Sequence, residues 1–485
     1  MEEKIVVGLD IGTTKIACFI GKRGSRRDKI KILGFGRSDS NGVRSGVVEN
    51  LQNTAESIKK AVQAAEDQAG IAVSEVYIGV AGYHIQTKSM EASIPVPQNE
   101  FQIVSQSDID TLTQTLRDTA TTEEGEDIIH IFPQTYSVDG RKLANDIPPV
   151  GVSGHVLKGT FNVIIGKRNE IKKLVDTVRM AGYSVAGIVL EPVASSYAVL
   201  NENDIADGVA LVDIGGGTTD IAVLYDNMVR YTLVISMAGD SITTDISSNC
   251  GIVRQKAEVL KKRFGECLPS EVNPNTVVSI PYNYGQPARE ISQRTLAEII
   301  KNRVEIILGL VSMELDNSQM MTRIRNNGIA LTGGGANMKN IQELAMLVTG
   351  VHCHIGTPGV HLEPADNTDV QVQNMNTYND TMYATGIGLV IYGLNCEEEK
   401  EAAKEEAQTT EEENIVEYTP KEDTPIEDTP VEPVSPIIND IPEEEKPVEP
   451  AITEKPKNKK KRFRGLLDPV NDWLTKTLFE GNDDD

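Results

Sequence analysis

The 485-residue chain is poor in aromatic side chains, with one tryptophan, and poor in positive charge: 47 Lys and Arg stand against 72 Asp and Glu, a formal net charge of −25. That balance excludes nucleic acid as a partner held by a general basic field. The five cysteines, at 18, 250, 267, 353 and 396, are odd in number and include no Cys-x-x-Cys pair. They predict buried or idle thiols in a reducing cytosol rather than a disulfide framework. No run reaches the roughly 18–20 apolar residues that cross a bilayer, and the first residues lead into a strand pattern, not an apolar leader. A cytosolic protein is expected, unless something lays it on a membrane. No Ser/His/Asp order or paired-carboxylate pattern stands out. His352 and His354 flank Cys353 on one side of a strand pattern, which predicts a solvated face rather than a metal site.

What the chain does have is glycine, 40 in all, gathered at three turns. Residues 210–224 read Ala-Leu-Val-Asp-Ile-Gly-Gly-Gly-Thr-Thr-Asp-Ile-Ala-Val-Leu. An apolar run delivers Asp213 to a glycine turn and a second apolar run leaves at once, which is strand, tight turn, strand. Gly215, Gly216 and Gly217 let the turn aim backbone N–H groups at one point, a concave anion site, and Thr218 and Thr219 add hydroxyl donors. An aspartate at the mouth of such a turn suits Mg²⁺, which keeps its waters and is shared with phosphates. No Gly-Lys-Ser/Thr follows, so this is not a P-loop, and a strand rather than a helix comes next, so it is not a dinucleotide turn. Residues 6–17 repeat the pattern with Asp10, Gly12, Thr13, Thr14 and Lys15. The third turn, Gly333-Gly334-Gly335-Ala336, lies between a strand and a helix, where its glycines admit a flat base or ribose. Two phosphate hairpins and one nucleoside turn imply a nucleoside triphosphate held between two related halves.

At 485 residues and 52.8 kDa there is room for two or more domains. A hairpin is expected at Asn41-Gly42, a helix over 51–69 ended by Gly70, and a buried strand over 74–81. Residues 84–166 interrupt this order with a helix near 108–120, a polar loop and strands over 127–136 and 160–165, a small inserted α/β subdomain. The rhythm resumes with a helix over 169–181, a strand to Leu190, and a helix opened by Glu191-Pro192. In the second half, helices are expected over 239–249, 254–264 and 291–315, then a strand over 328–332, a helix to Leu347 and a last apolar helix over 384–394.

Beyond Cys396 the chain changes character. Residues 397–456 hold 21 acidic and 5 basic side chains and nine prolines, a composition that predicts a disordered linker of roughly 40–45 Å root-mean-square reach. Residues 457–464 then carry six positive charges and no negative one. Asp468 is a natural N-cap with Pro469 after it, and Val470, Trp473, Leu474, Thr477 and Leu478 follow at helical spacing. Lys459, Lys460, Lys461, Arg462 and Arg464 beside Phe463, Leu466 and Leu467 complete a basic amphipathic helix suited to an anionic membrane surface.

These residues resemble the actin/DnaK/sugar-kinase ATPase superfamily and, within it, the bacterial FtsA cell-division family. The resemblance rests on residues 8–15, 211–220 and 330–336, on Glu191-Pro192, on Ala257 to Gly265, and on the insert and the tail. It implies an α/β fold: an actin-like two-domain ATPase with duplicated ribonuclease-H-like halves and an inserted subdomain. The expected organisation is domain I over 1–83 and 167–203, the insert over 84–166, and the domain II core over 204–238 and 325–396. An outer subdomain covers 239–324, the linker 397–456 and the tail 457–485. By the same resemblance Asp10 and Asp213 are the Mg²⁺-water carboxylates, and residues 12–15 and 215–219 hold the phosphates of ATP. Glu258, Lys261 and Lys262 lie near ribose and adenine, and Gly334, Gly335 and Met338 flank the adenosine. Glu191 and Asp213 are the catalytic candidates, for an ATPase activity that is weak at most.

The resemblance further implies a peripheral protein on the cytoplasmic face of the inner membrane at the division site. Its partners would be the FtsZ C-terminal peptide, other divisome proteins and itself in a filament. The outer subdomain would take that peptide, with Arg294, Glu298 and Arg303 as candidates. Thr381 stands where the family pattern has proline. A small-molecule kinase of the same superfamily is the alternative; it needs a catalytic base facing the γ-phosphate and leaves residues 457–479 without a role. A chaperone-like ATPase would need a β-rich domain where the acidic linker stands.

Overall fold

The computed structural model describes residues 4–97, 101–120, 122–144, 149–280, 289–363 and 377–416. The acidic stretch beyond 416 and the expected membrane helix, from Lys459 through Phe463 and Trp473 to Leu478, lie outside them. One compact unit runs through Glu398 and holds both halves and the insert; of a second, from Glu399, a helical stretch to Val416 is described.

β1 (Ile5–Ile11) and β2 (Lys15–Arg23) form the expected antiparallel hairpin, closed where the Gly12 amide donates to the Lys15 carbonyl at 3.0 Å. β3 (Ile30–Asp39) pairs on β2. The hairpin expected at Asn41-Gly42 forms four residues later. β4 (Val43–Arg44) and β5 (Val47–Val48) turn at Ser45-Gly46, both left-handed at φ 46° and 77°, as a tight two-residue turn requires. α1 (Leu51–Ala69) is capped by Asn50 and stopped by Gly70 at φ 67°. It lies so close on β3 that a Cβ on Gly36 would stand 1.9 Å from the Ala61 carbonyl. β6 (Glu75–Val80) follows in parallel beside β1.

The insert holds β7 (Gln86–Pro95), α2 (Gln106–Thr119), β8 (Glu126–Val138), β9 (Arg141–Lys142) and β10 (Val156–Lys167), an antiparallel sheet in the order β7-β10-β8-β9. β7 was not legible as a strand, because it is an edge strand whose polar residues show no buried alternation before Ala92 and Ile94. α3 (Arg168–Met180), β11 (Ser184–Leu190), α4 (Glu191–Val199) and α5 (Glu202–Asp207) complete the first half, whose sheet order is β11-β6-β1-β2-β3.

The second half repeats that plan. β12 (Val209–Ile214) and β13 (Thr219–Tyr225) form the second glycine hairpin and β14 (Met228–Ile235) joins its edge. The outer layer is α6 (Gly239–Cys250), α7 (Arg254–Phe264), the ribbon β15 (Val277–Ile280) with β16 (Arg289–Ser292), and α8 (Gln293–Asn317). Ile291, expected to begin the long helix, is instead in β16 opposite Val278; cross-strand pairing overrides the helical period there. β17 (Ile329–Thr332), α9 (Ile341–Thr349) and β18 (Cys353–Ile355) close a sheet ordered β14-β13-β12-β17-β18, the same plan as the first half. The last helix, α10 (Ala384–Val416), is 33 residues long and does not stop at Leu394 but continues into the stretch expected to be a disordered linker. Glu, Lys and Ala dominate residues 397–407, good helix formers that extend the helix.

α4 and α10 cross between the two sheets, and at their crossing a Cβ on Gly388 would stand 1.8 Å from the Ala194 carbonyl. Val209, Leu211, Ala222 and Leu224 face this hinge layer, while Val212, Ile214, Ile221 and Val223 face the outer helices. That alternation is how one sheet serves two cores. The insert is fastened to β14 as well. Buried Arg230 donates to the Gln134 carbonyl at 2.5 Å, the Gln134 amide donates to Val229 O at 2.9 Å, and the Asn162 amide donates to Arg230 O at 2.8 Å.

Candidate functional site

Each glycine hairpin carries an aspartate as the next-to-last residue of its first strand, and Asp10 and Asp213 lie near enough for the charge of one to act on the other. Both are buried, at 3% and 7% exposure. Lys15 Nζ donates to Asp10 Oδ2. Burial disfavours the Lys15 ammonium, but Asp10, Asp213 and Glu191 together hold its pKa above the usual lysine range. Asp213 Oδ2 accepts from Ser195 Oγ at 2.8 Å and from Thr385 Oγ1 at 3.3 Å. Burial, with the Asp10 charge, still pushes the Asp213 carboxyl above its ordinary value, against the Ser195 hydrogen bond and the Lys15 charge.

Two further carboxyls join them. Glu191 opens α4 and, through burial and then the charges of Asp10, Asp220 and Asp213, has its pKa raised well above the carboxylate range. Asp220, which sequence reasoning left without a role, pairs in register with Asp213 across the hairpin. It is 2% exposed, and burial followed by the Asp213 charge raises its pKa strongly. Thr218 Oγ1 donates to its Oδ2 at 2.8 Å, and its Oδ1 has no hydrogen-bond partner among the described residues. The available signal was the second aspartate of the Asp-Ile-Gly-Gly-Gly-Thr-Thr-Asp run, for which the first hairpin has Ala17 in the matching register.

The glycine tips do more than free backbone amides. A Cβ on Gly216 would stand 2.4 Å from Thr14 Cγ2, and one on Gly217 would stand 2.5 Å from Thr13 Oγ1, so the tips of the two hairpins meet. The expected hydroxyl donors of the second tip are turned inward. Thr218 serves Asp220, and Thr219, fully buried, donates to the Met237 carbonyl at 2.8 Å. Their place in an anion site is therefore limited to the backbone, because a hydroxyl has one proton to give. Gly215 closes its own turn by donating to Thr218 O at 2.9 Å, and the Gly239 and Asp240 amides at the start of α6 reach the carbonyls of Gly215 and Gly216.

On the expected nucleoside side, Lys261 Nζ donates to Gly239 O at 2.9 Å and Thr243 Oγ1 at 2.8 Å and pairs with Glu258 at 2.7 Å. Burial lowers the Lys261 pKa despite that partner. The Glu258 pKa is lowered too: burial opposes the shift, but Lys261, Thr243 and Lys262 outweigh it. Lys262 is exposed and reaches Glu258 at 3.2 Å. Gly333 takes φ 84°, and a Cβ on Gly335 would clash with Ile214 at 2.4 Å, so both are spent on the strand-helix corner. Gly334 is exposed, and a Cβ there would meet Met382 Cβ at an ordinary contact distance of 3.8 Å. Met338 lies 3.7 Å from the Cβ position of Gly265. Thr381, buried, donates through its hydroxyl to Gly333 O at 2.7 Å and accepts the Gly333 amide at its carbonyl at 3.2 Å, so it ties this corner to the turn that enters α10.

In the outer layer Arg294 and Glu298 form an exposed pair at 3.6 Å on α8. Arg303 is instead held by Asp245 of α6 at 2.6 and 3.0 Å and fastens two helices together. Between α8 and α9 runs a groove of about 520 Å³ with Leu344, Leu347 and Val348 on one side and Glu298, Lys301 and Glu305 on the other. Leu347 is 73% exposed. His352 and His354 stack at 6.0 Å, and among the described residues no cluster of His, Cys, Asp and Glu is built to hold a metal by direct ligation. No described helix is long and apolar enough to cross a membrane.

The sequence profile described as Cell division protein FtsA matches residues 210–388, and that described as SHS2 domain inserted in FTSA matches residues 82–165. The FtsA of Pseudomonas aeruginosa is 33% identical over 391 residues, covering 81% of this chain and 89% of that protein. The Escherichia coli FtsA is 32% identical over 413 residues, covering 82% and 94%. Among solved structures, the PilM-PilN type IV pilus biogenesis complex matches with a TM-score of 0.56 at 14% identity, over 80% of this chain and 98% of that one. MreB5 of Spiroplasma citri bound to ADP matches with a TM-score of 0.50 at 15% identity, over 83% and 99%. The fold is thus actin-like, and the match of the inserted domain together with identities above 30% over four-fifths of the sequence carries the conclusion: the chain belongs to the FtsA family.

Proposed function

We propose that the chain binds ATP with Mg²⁺ in the cleft, assembles with itself into filaments, and tethers the FtsZ ring to the inner membrane through its C-terminal helix. The carrying observation is the pair of facing hairpins with Asp10 and Asp213 at one floor. Four carboxyls stand there against Lys15, one of them with an orphaned oxygen on Asp220. That donor set fits a hydrated divalent cation, held through its waters by Asp10 and Asp213. The ion, when bound, supplies charge neutralisation for the phosphates. The backbone of residues 12–15 and 215–219 would hold those phosphates, and the Glu258–Lys261 pair and Gly334 would border the nucleoside. Glu191 would orient water; burial and the neighbouring Asp10, Asp220 and Asp213 charges raise its pKa well above the usual carboxylate range. Hydrolysis is expected to be weak.

The groove between α8 and α9 supports an outer-subdomain site for the FtsZ C-terminal peptide, with an apolar wall for its nonpolar side chains and a charged rim to set register. Membrane attachment rests on residues 457–479. Each basic residue near an anionic surface is worth about 1 kcal/mol, so one tail anchors reversibly and many along a filament anchor firmly. The deciding experiment is co-sedimentation with anionic liposomes, full chain against a chain ending at Pro456. Loss of pelleting on truncation is expected, and equal pelleting would falsify the tether. Capture of the FtsZ peptide by residues 1–398 and its loss in Leu347→Asp tests the groove.

A further inference from the structure

Asp213 is held differently from the other cleft carboxyls: its Oδ2 is bound by hydroxyls from both hinge helices. Ser195 Oγ on α4 donates to it at 2.8 Å, Thr385 Oγ1 at the start of α10 lies 3.3 Å from it, and the two hydroxyls are 3.0 Å apart. Ser195 is fully buried and Thr385 nearly so. A buried hydroxyl costs free energy unless it is hydrogen-bonded, so apolar residues would serve packing alone equally well. Their neighbours fix the geometry. Ser195 follows Ala194, whose carbonyl meets Gly388 of α10 at the helix crossing. Thr385 precedes Gly386, whose Cβ position is 3.6 Å from Asp10 Cβ. Asp213 Oδ1 lies close against the Gly333 backbone, where a Cβ would stand 2.2 Å from it, so any side chain at 333 would displace that oxygen.

We propose that Ser195 and Thr385 are positioning residues for the divalent cation. They fix Asp213 by Oδ2, leave Oδ1 for the hydrated ion, and attach the cation's carboxylate to both helices of the hinge. Cation affinity and the angle between the halves are then one equilibrium: an ion that orders Asp213 also orders the α4–α10 crossing. The proposal rests on the nucleotide and magnesium reading above.

The test uses the full chain as Ser195→Ala, Thr385→Val and Thr385→Ser, with ATP carrying a fluorescent ribose label as probe, titrated in Mg²⁺ and again in EDTA. Partners of metal-orienting groups typically carry about 10–100-fold in metal affinity. The gain in nucleotide affinity that Mg²⁺ confers should therefore fall about tenfold or more in Ser195→Ala and Thr385→Val. It should persist in Thr385→Ser, which keeps the hydroxyl, and affinity in EDTA should stay at the wild-type level. A wild-type Mg²⁺ gain in both hydroxyl-free variants overturns the proposal, as does an equal loss with and without the ion, which marks a merely structural role. If the wild-type chain binds the probe with no Mg²⁺ gain, the magnesium reading fails first and the proposal with it; if it binds no probe, the nucleotide reading fails.

Discussion

At the residue scale, the cleft floor is under electrostatic strain that titration can read. Asp220 and Glu191 have raised pKa values, so the folded chain holds protons that the unfolded chain has released above about pH 4–5. Their contribution is present at acid pH and is lost as pH rises towards the raised values. Asp220→Asn is therefore expected to raise the melting temperature of the metal-free protein at pH 7.5, with the gain shrinking towards pH 4.5. His130 runs the opposite way. It is fully buried, its Nε2 accepts from the Leu190 amide at 3.0 Å, and burial pulls its pKa from 6.5 to about 3. The unfolded chain binds a proton there first, so stability falls as pH drops below about 6.5. His130→Gln, which keeps an acceptor for Leu190, should flatten the melting profile between pH 6.5 and 4.5 relative to wild type. Sequence marked Asp10 and Asp213 because each sits at a glycine turn, whereas Glu191 was a candidate only through the family resemblance. It was silent on His130, whose role comes from a strand 60 residues away, and on the inward turn of Thr218 and Thr219.

At the element scale, glycine is used for two different purposes, and one substitution at each separates them. Gly70 has no heavy atom near its Cβ position and φ 67°, so Gly70→Ala should cost only the left-handed strain, about 1 kcal/mol in denaturant unfolding. Gly388→Ala would drive a methyl into the Ala194 carbonyl and should cost about 3 kcal/mol or more, or prevent folding. The first purpose is readable from sequence, since Gly70 ends an amphipathic period; the second is not, because Gly388 lies inside an apolar helix and its partner is 194 residues away. The extension of α10 was missed because composition beyond Cys396 reads as disorder over a wide window. Locally, Glu397 pairs with Lys4 and Tyr77 and Glu398 with Arg23 and Arg27, which pins the helix as it leaves the sheet. These pairs are partly exposed, so Glu397→Gln with Glu398→Gln should change overall stability by less than about 1 kcal/mol. Amide exchange over residues 395–402 should nevertheless accelerate clearly.

At the scale of the whole molecule, the two halves share one strand order but carry their additions at different junctions: the insert after β6, the outer helices after β14. The shared order was legible in the repeated Asp-Ile-Gly and Thr-Thr motifs, while the fastening of the insert to β14 was not. It depends on Arg230 and Gln134, which carry no motif. Arg230→Met should leave the Gln134 carbonyl without its donor and raise amide exchange in β8 and β14 while α7 and α8 keep wild-type protection.

The meeting of the hairpin tips, Gly216 on Thr14 and Gly217 on Thr13, has a kinetic meaning. If the cleft takes a nucleotide as proposed, the touching tips would act as a clasp across its phosphates, and the nucleotide would leave only when the tips part. Residence time would then be governed by how often the clasp opens rather than by how many contacts the ligand makes.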